Sequence, residues 1–154
     1  MFALSPNQSF KLHLRAYFEA RDRGYPRLAA GVLNRIHRQF GVVISPRARL
    51  ARSVRFAHPM NIVIGRGVVI GEDVTIYQGV TIGGARVGDA AAQSYPSIGD
   101  NTVLFAGSVI VGAISIGSNC IVGANAVVLS SVPDNSIAVG VPAVAKPRKA
   151  YPST

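Results

Sequence analysis

The chain has 154 residues, 49 % of them hydrophobic and 15 % charged, enough for one domain with a real core and too little for two. That balance excludes disorder by composition, which needs low hydrophobicity and high charge. The formal net charge of +9 lies wholly at the front: Met1 to Arg55 holds eleven Lys or Arg against Glu19 and Asp22, while Phe56 onward holds five of each sign. No apolar run approaches the roughly 18 residues of a membrane span. Met1 to Pro6 lacks the charged start and long apolar stretch of a signal peptide. The single cysteine, Cys120, excludes an internal disulfide framework and suits a reducing cytoplasm.

Two helices are predicted first. Ser5-Pro6-Asn7-Gln8 has the form of a capping box, with Ser at the N-cap, Pro at the first helical position and Gln at the third. Phe10, Leu14, Tyr17 and Phe18 then share one face, and Gly24 ends the helix. A second helix starts at Pro26, carries Leu28, Val32, Leu33, Ile36 and Phe40 at helical spacing, and stops at Gly41. The basic residues on this pair have three readings: a solvated face that keeps the chain soluble, attraction to an anionic membrane surface or a lipid-linked substrate, or nucleic acid. The last is weakest, since no nucleic-acid motif accompanies the charge.

From Gly41 onward an aliphatic or aromatic residue recurs at every sixth position. Ile44, Leu50, Phe56 and Ile62 are followed, after a two-residue slip, by Ile64, Ile70, Ile76 and Ile82, and the series resumes as Ile98, Leu104, Ile110, Ile116, Val122 and Val128. A second track of small or apolar residues runs two positions earlier and includes Val68, Val74, Val80, Ile114, Cys120 and Ala126, which places Cys120 in the core. Six fits neither a helix nor a hairpin sheet. It is the period of a parallel β-helix, in which each hexapeptide supplies a short strand and a corner and three close a triangular coil. Roughly five coils fit. Asp73, Asn101 and Asn119 suit the corners. The terminal coils expose unpaired backbone, which the helices can cover at one end.

The expected organisation is thus an all-β repeat: a helical cap over 1–41, a β-helix over 42–140 with a loop at 83–97, and a tail over 141–154. Two departures from the period stand out. The slip contains His58-Pro59-Met60-Asn61, and the sixteen-residue step from Ile82 to Ile98 throws out the loop. Loops on rigid scaffolds commonly carry binding sites.

Four segments carry a family resemblance: Arg55-Phe56-Ala57-His58-Pro59, Ile76-Tyr77-Gln78-Gly79-Val80-Thr81-Ile82-Gly83-Gly84, Pro96-Ser97-Ile98-Gly99-Asp100-Asn101, and Val132-Pro133-Asp134-Asn135-Ser136 running into Gly140-Val141-Pro142-Ala143. Over about residues 40 to 148 the chain resembles the hexapeptide-repeat acyltransferases, left-handed β-helix enzymes that use acyl-CoA. The likeness is to their serine acetyltransferase-like branch associated with surface-polysaccharide biosynthesis. The resemblance implies a homotrimer with sites between neighbouring prisms, acetyl-CoA as co-substrate and no metal. It makes His58 the general base that deprotonates an acceptor hydroxyl for direct attack on the thioester, a task that suits imidazole. Position alone fits a solvated loop histidine, and the motif decides for catalysis. The pantetheine arm is implied to run past Gly84, Ala106 and Ala124, with Lys146 and Arg148 meeting the coenzyme A phosphates. His13 and His37, on the helices, are ordinary surface or packing residues.

Departures from serine acetyltransferases steer the expected acceptor. Those enzymes resemble this chain but carry Asp where it has Ala57 and Val43, and Arg-His where it has Ser94-Tyr95. A zwitterion without charged partners binds poorly. The expectation is therefore a carbohydrate hydroxyl, met by Tyr77, Gln78, Asn61 and Tyr95, in a cytoplasmic enzyme that associates peripherally with the inner face of the membrane through its basic front end. What orients His58 is left to a backbone carbonyl, Asn61 or Ser45. The alternatives are serine O-acetyltransferase, a non-catalytic trimeric scaffold and an amino-sugar N-acetyltransferase. A zinc carbonic anhydrase of the same fold needs three converging histidines, and the repeat holds only His58.

Overall fold

A computed structural model describes residues 5–85 and 95–148. Helix α1 spans Pro6–Asp22, with the Ser5 side chain accepting from the Gln8 N–H and the Gln8 side chain accepting from the Ser5 N–H, the reciprocal capping box expected. Helix α2 spans Pro26–Phe40 and ends on Gly41 in the left-handed conformation, φ +63°. The buried face of α2 differs from the expected one. Ala29, Leu33 and Ile36 are buried, whereas Leu28 is 59 % exposed. Residues 29, 33, 36 and 40 form the row that meets α1 and the first coil, and Leu28 lies one position round from it.

The rest of the chain winds as a parallel prism with three faces. The first face stacks β1 (Val43–Ile44), β4 (Val63–Ile64), β7 (Thr81–Gly83), β10 (Val109–Val111) and β13 (Val127–Val128). On the second lie β2 (Arg49–Leu50), β5 (Val69–Ile70), β8 (Ser97–Ile98) and β11 (Ser115–Ile116), continued by a bridge from Ile116 to Val132. The third holds β3 (Arg55–Phe56), β6 (Thr75–Ile76), β9 (Val103–Leu104), β12 (Ile121–Val122) and β14 (Ser136–Gly140). Strand β15 (Ala143–Pro147) then turns back antiparallel on β14.

The hexapeptide explains this geometry. In each two-residue strand the second side chain points in and the first out, so Ile44, Leu50, Ile64, Ile70, Ile76, Ile82, Ile98, Leu104, Ile110, Ile116, Val122 and Val128 fill the prism. Each such burial stabilises by about 1.5–3 kcal/mol. The second track closes the interior at the corners, and Cys120 lies there fully buried, its thiol donating to the Pro133 carbonyl at 3.1 Å. Burial pushes that thiol's pKa up. Corner residues Asn61, Asp73, Asn101, Asn119, Asn125 and Asn135 take positive φ between +52° and +56°, where Asn and Asp are the best tolerated side chains after glycine.

The helices cover the open end of the first coil. Phe10 packs with its ring centroid 5.0 Å from that of Phe56, and the Arg21 guanidinium donates to the Leu50 carbonyl at 2.9 Å, a group with no coil beyond it to pair with. No described helix is long and apolar enough to cross a membrane.

Candidate active site

The corner leading from the third face into the first holds the candidate catalytic residue. Backbone pairing fixes its register. Ala57 N–H donates to Ile76 O, Tyr77 N–H to Leu104 O and Phe105 N–H to Val122 O, so Ala57, Tyr77 and Phe105 stand in one column. Gly79 N–H donates to Met60 O, Gly107 N–H to Gln78 O and Asn125 N–H to Ala106 O, so Met60, Gln78, Ala106 and Ala124 stand in the next. Ala57 and Tyr77 match, and so do Met60 and Gln78. The two extra residues of the slip are therefore His58 and Pro59, a bulge added to an otherwise regular corner. His58 has φ +54° and an exposed side chain, and Pro59 behind it is buried.

Around His58 the structure gathers Asn61, Tyr77 and Gln78, with Ala106 and Ala124 further along the same corner at the coil spacing of about 4.8 Å. The His58 ring lies 6.4 Å from that of Tyr77, and Tyr77 stacks on Phe105 at 5.1 Å. Phe105 was not among the sequence candidates. Its signal was its phase: like Tyr77 it directly follows an inward residue, and one coil separates the two once the loop is discounted. No hydrogen bond joins the His58 ring to another described residue. Val43, at the start of β1, turns its side chain outward and is 37 % exposed, so positions 43 and 57 both present aliphatic groups at this corner.

The other candidates lie elsewhere within one chain. Gly84 and Tyr95 flank the corner from the first face into the second. The Tyr95 ring lies over Gly67, where a Cβ would stand 2.1 Å from its Cδ2, and its hydroxyl is buried with no partner among the described residues. Tyr95 thus packs at the root of the loop and does not meet His58 within the chain. Ser94 and the loop residues 86–94 lie outside the described residues. Lys146 is exposed on β15, opposite Ile137. Arg148 is tied at the corner between the second and third faces, its guanidinium donating to Asn119 O at 3.2 Å and its N–H to Asn135 O at 2.7 Å. His13 Nδ1–H donates to Ser9 O at 2.8 Å on α1 and the ring packs edge-on against Phe40, a packing role.

His58 stands on a projecting corner. Two concavities of about 540 and 470 Å³ lie on the helical cap, around Tyr25 and Leu28 and around His13 and Val32. At this corner one prism presents the exposed His58 imidazole and, in the neighbouring column, the small residues Ala106 and Ala124.

Residues 95–130 match the bacterial transferase hexapeptide family (six repeats). The chain is 44 % identical over 131 residues to a serine acetyltransferase of Staphylococcus epidermidis, which covers 84 % of this chain and 60 % of the relative. The chain thus spans about 60 % of the length of the curated relatives it matches. Among solved structures, a serine acetyltransferase from Brucella abortus strain S19 superimposes with a TM-score of 0.80 at 28 % identity, covering 94 % of this chain and 58 % of that one. A serine acetyltransferase in complex with CoA gives 0.74 at 34 % identity, covering 87 % and 54 %. These relatives correct the expectation of a carbohydrate acceptor in polysaccharide biosynthesis, since they are serine acetyltransferases at up to 44 % identity. That expectation rests on Ala57, Val43 and Ser94-Tyr95. A charge interacts with any partner a few ångströms away, whatever position supplies it, so uncharged residues at those positions do not exclude a zwitterion.

Proposed function

The chain belongs to the bacterial hexapeptide transferases, with their left-handed β-helix, and we propose that it transfers acetyl from acetyl-CoA to the hydroxyl of L-serine. The observation that carries this is the His58-Pro59 bulge, which sets a lone imidazole on an exposed corner of a scaffold whose relatives are serine acetyltransferases. An alcohol is a weak nucleophile at neutral pH and needs a base within hydrogen-bond reach. A His58 ring nitrogen takes the serine hydroxyl proton as the oxygen forms a bond to the thioester carbonyl carbon. The tetrahedral intermediate collapses, the carbon–sulfur bond breaks, and the coenzyme A thiolate takes the proton back from the imidazolium. Backbone N–H groups at the corners serve the oxyanion.

Acetyl-CoA lies along the corner past Ala106 and Ala124, whose small side chains leave room for the pantetheine arm. Lys146 meets the coenzyme A phosphates, being free of the carbonyl contacts that hold Arg148. Asn61 and Gln78 line the acceptor end. Three copies complete the groove: packing the His58 corner of one chain against the next chain's first-to-second-face corner brings Gly84 and Tyr95 to it. The outward row Val43, Val63, Thr81, Val109 and Val127 gives the first face a largely apolar surface for that packing.

Incubation with acetyl-CoA and L-serine tests the reading. The expected result is serine-dependent release of free thiol and formation of O-acetylserine, by a species that sediments as three chains. Thiol release driven by a different acceptor and indifferent to serine would overturn it.

A further inference from the structure

On the reading of His58 as the general base, we infer that the ring of Tyr77, held in place by Phe105, positions the His58 imidazole. A general base works only if one ring nitrogen stays within hydrogen-bond reach of the proton it abstracts, and an imidazole is ordinarily fixed by a hydrogen bond to its other nitrogen. Here no described residue makes that bond, and Val43 and Ala57 offer only methyl groups. The contact that remains is aromatic: His58 and Tyr77 centroids are 6.4 Å apart at 47°, and Tyr77 and Phe105 are 5.1 Å apart at 27°. Both lie in the range where ring pairs attract.

The backbone builds this ladder. Phe56, Ile76, Leu104 and Val122 are in register along the third face, so the residues after them, Ala57, Tyr77, Phe105 and Gly123, stack along the corner. Tyr77 rests on Phe105; Gly123, next in the column, brings no side chain, and Val139 of β14 fills the space over it. At the other end Ala57 is too small to cover Tyr77, and the bulge at φ +54° brings the next residue's ring, that of His58, to 6.4 Å from it at 47°. Buried Pro59 limits the bulge's freedom from behind. The face of Tyr77, rather than its hydroxyl, does the positioning.

Tyr77→Phe, Tyr77→Leu and Phe105→Ala separate these roles. Tyr77→Leu is expected to lower kcat about tenfold, a modest misplacement of the base, with KM for both substrates within about twofold. Tyr77→Phe keeps the ring and restores kcat to within about twofold of wild type. Phe105→Ala falls between them. A second readout needs no turnover: the His58 ring-proton resonances, assigned by their loss in His58→Ala, lie upfield under the Tyr77 ring current, stay there in Tyr77→Phe and move to the position of a free histidine in Tyr77→Leu. A Tyr77→Phe variant as impaired as Tyr77→Leu, or His58 resonances that ignore Tyr77→Leu, would overturn the inference. Loss of the acetyl-transfer reading would show separately, as a wild type without turnover whose resonances still respond.

Discussion

Ser108 buries a hydroxyl inside the prism that meets no partner among the described residues. Its neighbours on the same inward track, Ile62, Val80 and Ala126, are apolar. A buried polar group without a hydrogen bond costs about 1–3 kcal/mol, so Ser108→Ala should raise stability, by about 1 kcal/mol in urea unfolding once lost packing is set against it. A fall in stability would show that the hydroxyl has a partner. The contrast is Thr102, equally buried, whose hydroxyl donates to Gly117 O at 2.9 Å and accepts from Cys120 N–H at 3.1 Å. At this scale the sequence told a good deal about identity and less about company. His58 announced itself by breaking the period. That the inserted pair is His58-Pro59 rests on the Gly79-to-Met60 hydrogen bond, which no spacing reveals. From the sequence, Tyr95 is expected to meet the acceptor and Arg148 the coenzyme A phosphates; in the structure one lies over Gly67 and the other is tied to Asn119, contacts made across 28 and 29 residues by the stacking of coils.

At the scale of elements, α1 does two things for the first coil. Its apolar face supplies Phe10, Leu14 and Phe18, and its last turn anchors to the corner after β2 through Arg52, which pairs with Asp22 at 2.7 Å while Arg21 pairs with Asp22 at 2.7 Å and caps Leu50 O. The Arg21 hydrogen bond, with help from Arg52, holds the Asp22 carboxyl below its ordinary pKa. A depressed carboxylate pKa contributes stability above the unfolded value and loses it as pH falls through the folded one. Asp22→Asn should therefore be less stable than wild type near neutrality, and the two should converge well below about pH 3.9, where the wild-type carboxyl is protonated as well. Unfolding midpoints at several pH values check this, and an equal gap at every pH would assign the effect to packing. Both helices were legible because capping and apolar spacing are local. The exposure of Leu28 was not, because which stripe of α2 faces inward is set by its contacts with α1 and the first coil.

For the molecule as a whole, a six-residue period suffices to specify a prism, since every coil repeats the same inward pair and the core is continuous from Ile44 to Val128. Function enters only where the repeat is broken. One prism carries His58, Ala106 and Ala124 on one corner and Gly84 and Tyr95 on another, and the proposed groove joins the two between copies. The acceptor was the part least legible in the sequence, because it was inferred from single positions, while the likeness to serine acetyltransferases extends over 131 residues. The central claim is that this corner performs acetyl transfer through His58. Its most direct test measures L-serine-dependent thiol release from acetyl-CoA by wild type and His58→Ala side by side, with acetyl-CoA binding measured on both. The account predicts that binding persists while turnover falls by about 10²–10⁴ in the variant, the loss expected on removing a general base. Serine-dependent turnover undiminished in His58→Ala would contradict it.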